Sequence, residues 1–162
     1  MLQSMFRTAV VLDADQGRKL WVMGYPYVIK VSGDETDGQF ALVDITAGPN
    51  SGTPLHIHHA EDEMFYILRG AMTFHADGEE TVAGPGSFVY IPRGMVHGWW
   101  NRSDAEVQML SAVTPAGFEQ FFVAIGTPAD AAHPTPPPVD PAAVAKIGQM
   151  APRYNMEVIS GW

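Results

Sequence analysis

The sequence predicts an all-β sandwich or barrel with short helices near its C-terminus, and three observations carry that reading. From Leu20 to about Ile91, short runs rich in β-branched and aromatic residues follow one another between turn signals. The 162 residues include 16 glycines and 13 prolines, more punctuation than a helical bundle tolerates. Hydrophobic residues make up 46% and charged residues 17%, the balance of a folded globular protein.

Taken in order, Leu20 to Val31 reads as a strand ending at a Ser32-Gly33-Asp34 turn, and Gln39 to Thr46 as the next. Glu63 to Leu68 and Ala71 to His75 flank Arg69-Gly70, which predicts a tight hairpin with a positive φ at the glycine. Gly78 opens a second turn. Ser87 to Ile91 and Val96 to Asn101 flank Pro92-Arg93-Gly94, and Glu106 to Val113 alternates as a further strand. Past Thr114-Pro115 the spacing of Phe118, Phe121, Phe122 and Ile125 becomes helical. A stiff Pro134 to Pro138 connector leads to Asp140-Pro141, an N-cap and N1 proline opening a helix through about Met150. The length fits one domain, with a barrel core over about 38–114 and a helical, proline-rich extension over about 115–162.

The formal net charge of −9 and the lack of a basic stripe argue against nucleic-acid binding. With no cysteine, any metal must be held by nitrogen and oxygen. The apolar stretch Thr8 to Leu12 is too short for a membrane span or a signal core, so no membrane association and a cytoplasmic location are expected.

His56-Ile57-His58 is where chemistry enters, because residues two apart on a strand share a face and aim both imidazoles at one point. Glu63 opens the next strand and can reach that point, and His97, beyond the Pro92 to Gly94 turn, supplies a fourth ligand. Three imidazoles and a carboxylate suit one divalent transition metal, nickel, manganese, iron, cobalt or copper, and an octahedral ion so held keeps two positions open. Strand alternation from Glu63 and His97 places Phe65, Ile67, Trp99 and Asn101 on the interior face, and with Phe74 these form the expected substrate pocket. Trp100 points outward.

His56-X-His58, four residues, Glu63, six residues and Gly70 resemble the first cupin motif, with Asn50 standing where its leading glycine is usual. Gly86, Pro92, Gly94, His97 and Asn101 reproduce the spacing of the second. The resemblance implies a cupin β-barrel, a double-stranded β-helix of jelly-roll type, and extends to small single-domain cupins similar to bacterial quercetin 2,3-dioxygenase. In such enzymes a flavonol loses its 3-hydroxyl proton and its ring is opened by O2 with release of carbon monoxide. The implied substrate is thus a small aromatic molecule, with Glu63 as the catalytic proton acceptor. A homodimer is also implied, with Tyr25 to Lys30 or the C-terminal tail as exchange elements. Two alternatives stay open: an isomerase, lyase or other dioxygenase on a smaller enolisable compound, and a non-catalytic metal or small-molecule binding module.

Of the remaining residues, Glu61 rivals Glu63, but the step of six to Gly70 favours Glu63 and leaves Glu61 and Asp62 as an acidic loop. His59, His75 and His133 read as solvated. Phe118, Phe121 and Phe122 read as docking a helix, with a lid over the barrel mouth as the alternative.

Overall fold

The structure is a computed structural model that describes residues 9–159. Thr8 and the last three residues of the tail lie outside the described residues. β1 (Arg18–Val22) and β2 (Tyr25–Val31) form an antiparallel hairpin where the sequence reads one strand. Met23 and Gly24 both take positive φ, the two-residue turn whose twist suits a hairpin, and a methionine gives no advance sign of it. Next comes one turn of helix, α1 (Gly33–Thr36), in place of a plain turn. Ser32 caps it, its backbone N–H donating to Glu35 Oε2 at 2.7 Å.

β3 (Ala41–Ala47), β4 (Ser51–Gly52), β5 (His56–His58), β6 (Asp62–Arg69), β7 (Met72–Ala76), β8 (Glu79–Ala83), β9 (Phe88–Ile91), β10 (His97–Asn101) and β11 (Val107–Thr114) follow. The chain ends through α2 (Glu119–Ile125), β12 (Thr127–Pro128), α3 (Pro141–Met150) and β13 (Met156–Val158). Two antiparallel sheets face each other, one ordered β12-β1-β2-β3-β11-β6-β9 and the other β13-β5-β10-β7-β8, with β4 also pairing β10.

Asp77 and Gly78, both at positive φ, close the β7–β8 hairpin. Arg69-Gly70 does not make the expected hairpin. β6 pairs with β9 and β11 while β7 pairs with β8 and β10, so the chain passes there from one sheet to the other. Gly70 has φ +78° and sits so close to β11 that a Cβ would stand 2.8 Å from Val107 Cγ2. The Pro92 to Gly94 turn is another of the crossovers between sheets.

Alternation sends Val43, Ile45, Phe65, Ile67, Val107 and Met109 into the space between the sheets, the main core. α2 and α3 close one end over a smaller cluster that includes Ala41, Val113, Phe121 and Ile147. Asp140 accepts the Ala143 N–H at 2.8 Å ahead of Pro141, so α3 starts where its cap residues predict. Buried Glu119 holds α2 in place, accepting from Gly33 N–H at 2.9 Å and Gly117 N–H at 2.6 Å. Both expected exchange elements are paired within the chain: β2 lies between β1 and β3, and β13 pairs with β5.

Candidate metal centre

β5 is a three-residue strand whose alternation buries His56 and His58 and turns Ile57 the other way. His97 opens β10 directly opposite His56, which puts its ring on the same face. Glu63 comes from the other sheet, second residue of β6, and reaches across the interior. All four are buried, and one donor atom from each lies within 4.8 Å of the others. The His56 and His97 ring centroids are 4.3 Å apart.

Neighbouring loops hold the four in register. Asp62 Oδ1 accepts from Arg93 N–H and Nε–H, each at 3.0 Å, which ties the start of β6 to the turn before His97. Gly94 N–H donates to the His58 carbonyl at 2.8 Å, which ties that turn to β5.

Each imidazole has an acceptor on its far nitrogen. His56 Nδ1 lies 2.8 Å from the Pro54 carbonyl, His97 Nδ1 3.0 Å from that of Met95, and His58 Nδ1 2.6 Å from Glu61 Oε1. Donation from Nδ1 leaves the His56 and His58 Nε2 atoms as lone pairs facing inward, the arrangement typical of metal-bound histidine, while His97 Nε2 is hydrogen-bonded to Glu63. Glu63 Oε2 sits 3.0 Å from His97 Nε2 and 3.5 Å from that of His58. Among the described residues, His58 Nε2 is the one buried side-chain polar atom with no hydrogen-bond partner. Buried acceptors facing one another are repulsive unless a cation stands between them. The donor set therefore fits a divalent metal, and its nitrogen and oxygen character suits the transition series.

Electrostatics of the metal-free centre set an acid sensitivity. Burial, reinforced by His97 and His58, pushes His56 down to about 3. Burial would raise Glu63, but the charges of His58, His97 and His56 and the His97 hydrogen bond outweigh it and hold Glu63 at about 2. Burial opposes ionisation of His97 as well, yet the Glu63 hydrogen bond and charge carry it above its ordinary value.

The unfolded chain takes a proton at His56 near its ordinary value while the folded chain waits until about 3, so stability falls as pH drops below about 6.5. The Glu63 contribution persists until pH nears 2. His97 acts in another window, stabilising below its unfolded value and losing that contribution as pH rises through its folded value. We expect the urea midpoint of chelator-treated protein, followed by tryptophan fluorescence, to be lower at pH 5 than at pH 6.5. An unchanged or higher midpoint would contradict the burial of a neutral His56.

The centre opens on a cavity of about 100 Å³ lined by aromatic and apolar side chains, among them Tyr27, Phe65, Trp99, Phe118 and Phe122. Phe118 meets His58 edge to face, centroids 4.2 Å apart. Phe65 and Trp99 thus stand where the sequence puts the pocket. Ile67 and Phe74 are packed in the core rather than on the cavity wall, with Phe74 against Phe65 at 5.1 Å. Asn101 is not on the wall either: its amide donates to the Gly48 and Ala105 carbonyls at 2.8 and 2.7 Å, and so ties loops together. The helix carrying Phe118, Phe121 and Phe122 docks on the barrel and also walls the cavity, so the two readings of these phenylalanines describe one arrangement.

Three residues were missing from the expected site. Phe118 and Tyr27 lie far away in sequence. Glu61, read as part of an acidic loop, is buried against His58, and Asp62 is the first residue of β6. The signal for Glu61 was present, since it stands two residues before Glu63 in extended chain and shares its face. His59 and His133 are exposed, as expected, and pair with Glu157 and Asp130 at 2.9 and 3.1 Å. His75 is half-buried.

The cupin domain family matches residues 43–113. Over those residues the barrel is a cupin domain. Quercetin 2,3-dioxygenase of Bacillus subtilis is 34% identical over 120 residues, 73% of this chain and 35% of that enzyme. Quercetin 2,3-dioxygenase of Aspergillus japonicus is 30% identical over 138 residues, 80% of this chain and 39% of that enzyme. The chain therefore spans little more than a third of the length of these curated relatives. The crystal structure of a predicted oxalate decarboxylase from Thermotoga maritima superposes on this cupin with a TM-score of 0.60 at 19% identity, covering 66% of this chain and 99% of that one. That likeness shows the shared fold. No helix among the described residues is long and apolar enough to cross a membrane.

Proposed function

We propose that this cupin is a metal-dependent dioxygenase that opens an enolisable aromatic ring with O2, a flavonol being the leading substrate and carbon monoxide a product. The observation that carries this reading is a buried His₃Glu centre facing a cavity with aromatic walls. Its similarity to two enzymes named quercetin 2,3-dioxygenase supports it.

His56, His58, His97 and Glu63 would hold the metal, which supplies a Lewis acid for the substrate oxygen and a site for O2. Glu63 would take the hydroxyl proton of a bound substrate. Phe65, Trp99 and Phe118 line the cavity and would pack against a flat ring.

The cavity volume favours a second reading on the same centre. About 100 Å³ is less than the roughly 150 Å³ known to admit benzene, so the cavity as it stands favours a compact enolisable compound over a flavonol. A flavonol requires the α2 wall to draw back.

Protein loaded separately with nickel, manganese, iron(II) and cobalt, then given quercetin or acetylacetone in an oxygen electrode with carbon monoxide trapping, tests both readings. Carbon monoxide from quercetin supports the first. O2 uptake with acetylacetone alone moves the assignment to the smaller substrate. No uptake with either compound at full metal occupancy refutes both.

A further inference from the structure

We propose that Tyr27 is a ligand-binding residue whose phenol O–H donates a hydrogen bond to the anionic oxygen of a compound held in the cavity beside His56, His58, Glu63 and His97. The proposal rests on the metal chemistry proposed above for the identity of that compound, but not for the role of the hydroxyl.

Tyr27 stands mid-strand on β2, between Leu20 of β1 and Ile45 of β3, and alternation with Ile29 turns its side chain inward. It is 92% buried, being 8% exposed, and it lines the cavity. Phe122 meets its ring edge-on, with centroids 5.2 Å apart at 67°, which fixes the plane of the phenol.

Among the described residues the Tyr27 hydroxyl is not a sealed orphan as His58 Nε2 is; it belongs to the cavity wall and is open to a molecule held there. Several other polar groups of the cavity wall are engaged within the chain. Ser51 Oγ donates to the Gly48 carbonyl at 2.7 Å, Thr53 Oγ1 accepts from Trp99 N–H at 3.1 Å, and the His56 and His58 Nδ1 atoms have acceptors. A phenol hydroxyl on an otherwise apolar stretch of cavity wall offers a bound molecule's oxygen a donor that phenylalanine in the same place would lack.

Chemistry narrows the class of that molecule. A metal cation attracts an anion, the walls are apolar, and the free protein group is a donor, so the match is an enolate, phenolate or similar oxyanion on a compact carbon frame. Burial and the nearby Glu63 carboxylate push the Tyr27 phenol well above its usual range, so it donates without ionising. Glu63 and Tyr27 are then complementary, one accepting the proton of the incoming hydroxyl and the other donating to the oxygen left behind.

The test compares cobalt-loaded wild type with Tyr27→Phe, titrated without O2 with azide and with 3-hydroxyflavone and followed by visible absorbance. We expect unchanged cobalt stoichiometry and an equal or higher melting temperature in the variant. Both probes should bind about 10-fold more weakly, the effect of removing one hydrogen bond to a charged acceptor. The asymmetric stretch of bound azide, read by infrared, should also move between the two proteins.

Equal affinities and an unmoved stretch would overturn the proposal, as would loss of cobalt from Tyr27→Phe, which would make the residue a support of the centre. If wild type binds azide but not 3-hydroxyflavone, the flavonol reading fails while the azide comparison still decides the role of Tyr27.

Discussion

Adding nickel or cobalt to chelator-treated protein is expected to raise its melting temperature by about 5–10 °C once free metal exceeds its dissociation constant a hundredfold. Binding to the folded state alone contributes about 2.7 kcal/mol at that ratio, and a domain of this size gains roughly 2–4 °C per kcal/mol. The physical source is the arrangement of acceptors in the centre. His58 Nε2 has no partner, and the proton that His97 Nε2 shares with Glu63 Oε2 across 3.0 Å stands where a cation can replace it. His58→Ala removes one ligand and should abolish most of the rise. His59→Ala is the control, because that imidazole is exposed and paired only with Glu157. Differential scanning calorimetry with and without metal decides the matter. A rise of the wild-type size in His58→Ala would mean that the ion binds somewhere else.

The same centre shows which parts of the molecule were legible in the sequence. His56-Ile57-His58 could be read because the information is local: two imidazoles on one strand face need only the two-residue period of a strand. Asp140-Pro141 was legible for the same reason, since a cap and an N1 proline act within one turn. Arg69-Gly70 misled because a glycine at positive φ reports that the chain bends, not which strand it meets afterwards. That depends on long-range pairing, and here β7 joins β10 in the other sheet. The Met23-Gly24 hairpin was hidden by a residue that seldom takes positive φ. Tyr27 and Phe118 reach the cavity through tertiary packing alone, from β2 and from the start of α2. A pocket drawn from strand alternation reaches down the barrel to Ile67 and Phe74, whereas the cavity sits at the end closed by the helices.

Removing the Glu61 carboxylate is expected to weaken metal binding by about 10–100-fold, although Glu61 is not one of the four clustered ligands. Glu61 is buried and its Oε1 lies 2.6 Å from His58 Nδ1, so it holds the proton on that nitrogen and keeps Nε2 free as a lone pair. Its charge also makes the imidazole a stronger donor to a cation. In Glu61→Ala the His58 Nδ1–H loses a buried partner at a cost of about 1–3 kcal/mol in stability, and the ring is free to turn or to shift its proton to Nε2. Glu61→Gln separates the two contributions, because its amide oxygen still accepts from Nδ1–H but carries no charge. We expect the glutamine variant to recover most of the stability and part of the affinity. The cobalt-loaded protein offers a direct reading, since the exchangeable Nδ1 proton of a cobalt-bound histidine gives a paramagnetically shifted NMR signal. That signal should persist for His58 in wild type and Glu61→Gln and vanish in Glu61→Ala. An alanine variant with wild-type affinity and an intact signal would show that the His58 tautomer is set by other contacts, and that the carboxylate is buried for the stability of the β5–β6 turn alone.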